Sequence, residues 1–296
     1  MSITRRQLLV GLGILATALG SGVIGKFAVN GEDKSSETLL RFISVADTGT
    51  GDDGQYAVAK AMYNYYQQKP YPLALLAGDN IYNSGEISKV KAVFDEPYAP
   101  LLKAGVKFRA VLGNHDVVTN NGMDEVKYPL FNMTDRIYPQ GNRYYTFQEG
   151  KVQFFAIDTN TDDPQQLAWL DKSLGESKAL WKIVFGHHPI YSSGLHGSTE
   201  ALINTLPPLF AKHNVQLYLC GHDHDYERSR VMNGTTYIVE GAGANTRWMY
   251  TSDFTAYSAS RPSFVALEVT SKQILTEAIG TDGEVFDRSV IPLKSF

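Results

Sequence analysis

The chain has 296 residues, 43% of them hydrophobic and 20% charged, with a formal net charge of -4. Such proportions belong to a folded globular protein, long enough for one large domain or two small ones around a sizeable core. The acidic balance, without a Lys/Arg run, weighs against nucleic-acid binding by phosphate neutralisation. The single cysteine, Cys220, rules out an intrachain disulfide, a zinc–thiolate centre and an iron–sulfur cluster.

Residues 1–30 read as an export signal. Arg5-Arg6 stand before an apolar stretch that begins at Leu8, and a charged head before an apolar segment is signal-peptide architecture. Adjacent arginines at that place resemble the twin-arginine signal, with Leu8 where Phe is frequent. Ala16-Thr17-Ala18 is a small-x-small cleavage candidate. Left uncut, the stretch is long enough to span a bilayer. The expectation is export to the periplasm or beyond, with a retained membrane anchor as the alternative. Residues 31–38 are polar and read as a linker, so the folded domain is expected over 39–296.

Within that domain, residues 39–46 read as a strand and 55–68 as a helix with Val58, Met62 and Tyr65 on one face. Strand 73–77 follows. Residues 86–103 are expected to be helical, interrupted at Pro97 and Pro100. Strand 106–112 comes next, then a hairpin of 144–147 and 152–157 turning at Glu149-Gly150. Asp163-Pro164 opens a helix as N-cap and first-turn proline, with a core stripe of Leu167, Leu170 and Leu174. Then come strand 181–185, helix 199–206 and strand 215–220, in which Cys220 reads as buried. His213 reads as a helix cap. The remainder is β-rich: 235–239, 264–269, 273–279 and 285–292.

Five strands run directly into polar clusters: Asp47-Thr48-Gly49, Gly78-Asp79-Asn80-Ile81-Tyr82, Gly113-Asn114-His115-Asp116, Gly186-His187-His188-Pro189 and Gly221-His222-Asp223-His224. Ligands in α/β sheets gather at the carboxyl ends of strands, and glycine beside a polar residue lets backbone turn tightly there. Asp, Asn, Tyr and His without Cys suit iron, manganese or zinc. Singly each cluster is a plausible loop; five in order point to one convergent metal site.

The order Asp-x-Gly, Gly-Asp-x-x-Tyr, Gly-Asn-His-Asp, Val-x-x-His, Gly-His-x-His resembles the small purple acid phosphatases of the calcineurin-like metallophosphoesterase superfamily. It falls here on residues 47–49, 78–82, 113–116, 184–187 and 221–224. The superfamily usually opens with Asp-x-His; here Gly49 stands in place of that histidine and Tyr82 supplies the ligand. The resemblance implies an α/β fold, a four-layer α/β/β/α sandwich of two mixed β-sheets flanked by helices. It implies one metal held by Asp47, Asp79, Tyr82 and His224, and a second held by Asp79, Asn114, His187 and His222, with Asp79 bridging. The implied cofactors are Fe(III) plus a divalent ion (Fe, Zn or Mn), and the implied activity is acid phosphatase action on phosphate monoesters by a metal-bound hydroxide. Three anionic ligands against five metal charges leave the centre positive, so an acidic protein still attracts phosphate. His115 and His196 match positions that contact substrate or protonate the leaving group, and Asn114 also faces substrate. Asp116 is expected to orient His115, and His188 to lie in the pocket or behind the ligands.

The expected partner is a small phosphate ester, with membrane contact only through an uncleaved residue 1–30 segment. Two other readings compete. One is a phosphodiesterase of the same superfamily, with a pocket from 117–140, 192–199 and 244–261 where Trp248 and Tyr250 stack a base or simply pack. The other is a non-catalytic exported iron-binding protein.

Overall fold

The computed structural model describes residues 37–293. The segment read as an export signal, and the linker apart from Glu37 and Thr38, lie outside the described residues. In chain order the elements are β1 (Thr38–Val45), α1 (Asp53–Gln68), β2 (Leu73–Leu76), α2 (Ala99–Lys103), β3 (Lys107–Ala110) and α3 (Met123–Val126). They continue with β4 (Tyr145–Glu149), β5 (Val152–Ala156), α4 (Pro164–Glu176), β6 (Trp181–Phe185), α5 (Glu200–His213) and β7 (Leu217–Cys220). The β-rich end holds β8 (Tyr226–Ser229), β9 (Thr236–Glu240), β10 (Thr255–Ala259), β11 (Ser263–Thr270), β12 (Gln273–Gly280) and β13 (Val285–Pro292).

Two mixed sheets result. One runs β13-β12-β11-β1-β2-β3 and the other β10-β8-β9-β7-β6-β5-β4. β1, β2 and β3 are parallel neighbours, as are β5, β6, β7 and β9. Alternate side chains point to opposite faces of a strand. In β6, Trp181, Ile183 and Phe185 join the main core, while Val184 packs with Leu170, Leu174, Leu202, Leu206 and Phe210 of α4 and α5. α1 buries Val58 and Met62 in the main core, and its Tyr65 ring meets Phe264 of β11 edge-on at 5.9 Å. The layers are therefore helix, sheet, sheet, helix, as expected.

Several elements differ from the sequence reading. Residues 86–103 do not form one helix: short turns at Ile87–Lys89 and Lys91–Asp95 precede α2, where Pro100 sits in the first turn. α5 does not stop at Leu206 but passes through Pro207 and Pro208 to His213. An internal proline costs about 3 kcal/mol. Burying Leu202, Leu206 and Phe210 contributes about 1.5–3 kcal/mol each, which offsets it. The cap of α5 is Asn214 in the left-handed region, not His213, whose Nε2 pairs with Asp171 at 2.5 Å. The strands β8 and β10 have no apolar run. β8 buries Glu227 under bonds from Ser193 and Thr255, and its Arg228 forms a fork with Asp287 of β13 at 2.7 and 3.0 Å.

Candidate metal centre

The register of β1, β2 and β3 sets Val45, Leu76 and Ala110 side by side. The chain leaves all three strands at one level, so Asp47, Asp79 and Asn114 emerge together. β6 and β7 are likewise in register, with Phe185 opposite Leu219, and deliver His187, His222 and His224 from the other sheet. Bonds from Ala46 N–H to Glu240 O and from Gly243 N–H to Ala46 O join the sheets at this end.

The predicted ligands fall into two groups. In the first, the Tyr82 hydroxyl lies 3.0 Å from Asp47 Oδ1 and 3.1 Å from His224 Nε2, and His224 Nε2 lies 3.4 Å from Asp47 Oδ1. In the second, His187 Nε2 lies 3.1 Å from Asn114 Oδ1 and 3.5 Å from Asp79 Oδ2, and the His222 ring stacks edge-on at 5.2 Å from that of His187. Asp47, Asp79 and His187 each offer a ligand atom within 4.8 Å of the other two, so the groups are contiguous through Asp79.

Backbone holds these donors in place. Asp47 Oδ2 accepts the His222 N–H at 2.8 Å and Asp79 Oδ1 accepts the His115 N–H at 3.0 Å, leaving the second oxygen of each carboxylate toward the cluster. The Ala77 carbonyl accepts from His187 Nδ1 at 3.0 Å, which leaves Nε2 unprotonated in the neutral ring, as a ligand requires. Asp47, Asp79 and His222 have φ of 58°, 53° and 72°. Left-handed backbone at non-glycine residues carries strain that clusters at functional sites. A Cβ at Gly49 would overlap the Asn80 carbonyl, and the Tyr82 N–H bonds Gly49 O at 2.9 Å.

The electrostatics call for a cation. Asp47 and Asp79 are each 1% exposed, and among the described residues neither has a Lys or Arg partner. Burial raises the Asp79 carboxyl, but His187 and the His115 N–H outweigh it and hold it below the ordinary range. Burial also works against a charge on His187, yet Asp79 and Asp47 hold its proton affinity above the usual value. Burial and the same two carboxylates drive the Tyr82 phenol far upward, so a phenolate forms there only beside a strong cation. His222 is pushed down to about 2 by burial and the surrounding imidazoles, which favours the neutral, ligating form. Atoms bound to one ion at about 2.0–2.2 Å sit about 2.8–3.1 Å apart at octahedral angles and about 3.3–3.6 Å apart at tetrahedral ones. The donor contacts above have that spacing, so the residues fit bound metal, with His222 beside them through its ring contact with His187.

The remaining predicted residues surround this cluster. His115 is not oriented by Asp116: its Nδ1 donates to the Asn83 carbonyl at 2.7 Å, with Nε2 3.9 Å from Asp79 Oδ2. Asp116 instead accepts the N–H groups of Gly113, Asn80 and Ile81, tying the loops of Asp79 and Asn114 together. Burial and Asp79 push it up to about 7. His188 bonds Thr159 Oγ1 at 2.8 Å, stacks at 4.5 Å on His222, and is pushed down to about 3 by burial and His187. His196 lies 4.3 Å from the His222 ring, and its Nε2 accepts from Arg247 Nη1 at 2.6 Å.

Four residues were given no role in the sequence reading: Asn83, Thr159, Asp223 and Arg247. Asp223 sits inside Gly-His-x-His, a position that sequence alone treats as variable. A cavity of about 590 Å³ opens on the cluster, lined by Tyr82, His115, His224, Asn245 and Arg247. Of the three segments expected to wall it, 244–261 contributes Asn245, Thr246 and Arg247, and 192–199 reaches its rim through His196, which Arg247 bonds. Residues 134–137 line a separate cavity of about 850 Å³ with Arg109 and Phe147. Trp248 and Tyr250 are 81% and 67% exposed, so neither is a packing residue.

Two α/β sheets that present carboxylates, imidazoles, a carboxamide and a phenol at shared strand ends define the metallophosphoesterase class. The chain belongs to the calcineurin-like phosphoesterase family, whose model matches residues 40–226. It is 26% identical to tartrate-resistant acid phosphatase type 5 of Oryctolagus cuniculus over 86% of this chain and 92% of that protein. It is 28% identical to purple acid phosphatase 7 of Arabidopsis thaliana, over 71% and 72%. The fold matches GAP50, described as the anchor in the inner membrane complex of Plasmodium, with a TM-score of 0.74 at 24% identity over 88% and 90%. It also matches the purple acid phosphatase PPD1 of Lupinus luteus, with a TM-score of 0.73 at 20% identity over 86% and 53%.

Proposed function

We propose that this protein hydrolyses phosphate monoesters at a dinuclear centre of Fe(III) and a divalent ion (Fe, Zn or Mn). The observation that carries the reading is the pairing of Tyr82 with Asp47 and His224 where Gly49 leaves no histidine. A buried phenol among two carboxylates suits a trivalent ion better than a divalent one alone. Asp47, Tyr82 and His224 would hold one ion, Asn114, His187 and His222 the other, and Asp79 both. When bound, such a pair polarises phosphoryl oxygens and lowers the pKa of a coordinated water.

The chain's own groups supply the rest. The backbone bonds to Asp47 and Asp79 fix the ligands before substrate arrives, so little reorganisation is left for the reaction. His115 is held by Asn83 O through Nδ1, and its Nε2 stands at the cavity to carry the proton that the departing alcohol takes. His196 lies on the opposite rim, beside His222. A small ester fits a cavity of about 590 Å³.

The twin arginines before an apolar stretch support a further part of the reading: the protein is exported, and it touches a membrane only if residues 1–30 are retained. The test is to purify the protein, measure metal content and record its visible spectrum while assaying aryl mono- and diesters. Tyr82→Phe is expected to abolish a phenolate-to-iron(III) band. A variant that keeps the colour removes Tyr82 as a ligand, and faster turnover of diesters than of monoesters overturns the substrate assignment.

A further inference from the structure

Arg247 supplies the guanidinium that lines the cavity over the site. Among the described residues five arginines pair with acids: Arg41 with Glu268, Arg143 with Asp158, Arg228 with Asp287, Arg261 with Asp282 and Glu284, and Arg288 with Glu277; Arg109, away from the site, spends its guanidinium on the carbonyls of Asn132 and Thr134. Among the described residues Arg247 has no carboxylate within salt-bridge reach. Its side-chain hydrogen bond goes to the neutral acceptor Nε2 of His196. The second cation of the cavity, Lys89, is already engaged by Glu86 and by the Tyr82 carbonyl.

The position of Arg247 is fixed rather than incidental. Its N–H donates to His224 O at 2.8 Å and its carbonyl accepts from Ser260 Oγ at 2.8 Å. A β-bridge between Gly194 and Met249, with Tyr250 N–H bonded to Ser193 O, pins its segment to the loop that carries His196. A guanidinium presents several N–H groups in a planar fork that matches a carboxylate or phosphate, and one bond to an imidazole leaves most of that fork unused.

We propose that Arg247 is a seat for a second anionic group on the substrate, so that the protein prefers phosphate esters whose leaving group carries a carboxylate or a further phosphate. This rests on the phosphatase reading above. The scissile phosphoryl group occupies the donor cluster and the second anion meets the fork of Arg247 at the rim. Charge-assisted, bidentate contacts of this kind are the strong ones.

The test uses the metal-loaded full chain, as wild type, Arg247→Ala and Arg247→Lys. The kcat/KM for 3-carboxyphenyl phosphate is divided by that for phenyl phosphate, and the affinities for pyrophosphate and inorganic phosphate are compared by calorimetry. The expected result is a drop of about tenfold or more in both ratios in Arg247→Ala, corresponding to about 1.4 kcal/mol, with Arg247→Lys in between. Ratios that stay constant, or two esters that fall by the same factor because Arg247 grips the scissile group, overturn the proposal. If neither ester turns over, the phosphatase reading fails, and the pyrophosphate-to-phosphate ratio alone decides Arg247 in the same direction.

Discussion

Asp223 sits between two proposed ligands, is fully buried, and faces away from them toward the 192–197 loop. Its Oδ1 accepts the His196 N–H at 2.7 Å, and its Oδ2 accepts Ser192 Oγ at 2.5 Å and the Gly197 N–H at 3.2 Å. Asp223→Asn preserves the shape but turns one oxygen into a donor. Whichever way the amide is flipped, one backbone N–H, of His196 or Gly197, then faces another donor. A hydrogen bond to a charged group contributes about 1.5–3 kcal/mol, and a buried donor left unpaired costs about 1–3 kcal/mol. The Ser192 hydroxyl can rotate to compensate, so the expected net loss is about 2–4 kcal/mol. It would appear either as global destabilisation or as a displaced His196 loop. Urea unfolding, metal analysis and kcat/KM on an aryl phosphate separate the two. A displaced loop is expected to lower kcat/KM by about 10–100-fold with metal content retained. A variant with wild-type midpoint and wild-type kcat/KM would refute the reasoning, because three buried bonds cannot be rearranged without one of those consequences.

Asp79→Ala is expected to lose both metals, since both donor groups converge on it; full occupancy by elemental analysis contradicts the shared ligand. Gly49→Ala drives a methyl into the Asn80 backbone. It is expected to cost about 1–3 kcal/mol and to weaken any visible band by shifting Tyr82, so an unchanged spectrum and melting temperature count against the close approach. Asp225 is buried with neither carboxylate oxygen hydrogen-bonded among the described residues, and burial with Asp223 and Glu227 pushes it up to about 8. Its unfolded value is about 3.9, so the folded state of metal-free protein holds the proton more tightly and stability falls as pH rises between those values. Asp225→Asn removes that loss. Its advantage over wild type in urea should be small at pH 4, grow toward pH 8 and then level off; an advantage independent of pH rejects the explanation.

The side chains that meet in the candidate centre were legible as candidates because each follows an apolar strand, where a local change from buried run to glycine and polar residue marks the turn. The exchange that leaves Gly49 without a histidine and gives Tyr82 its ligand role came from the resemblance to the purple acid phosphatases. The breaks in 86–103, the passage of α5 through Pro207-Pro208 and the strand at Tyr226–Ser229 were not legible, because distant packing and ion pairs outweigh local propensity there. Nor did the sequence indicate that Asn83 rather than Asp116 orients His115, that Asp223 holds the His196 loop, or that Arg247 reaches His196. Which side chains can bind a metal is a property of residue type, readable one position at a time. Which of them meet depends on strand register and on loops from two sheets approaching within about 3 Å, and only the folded chain sets those distances.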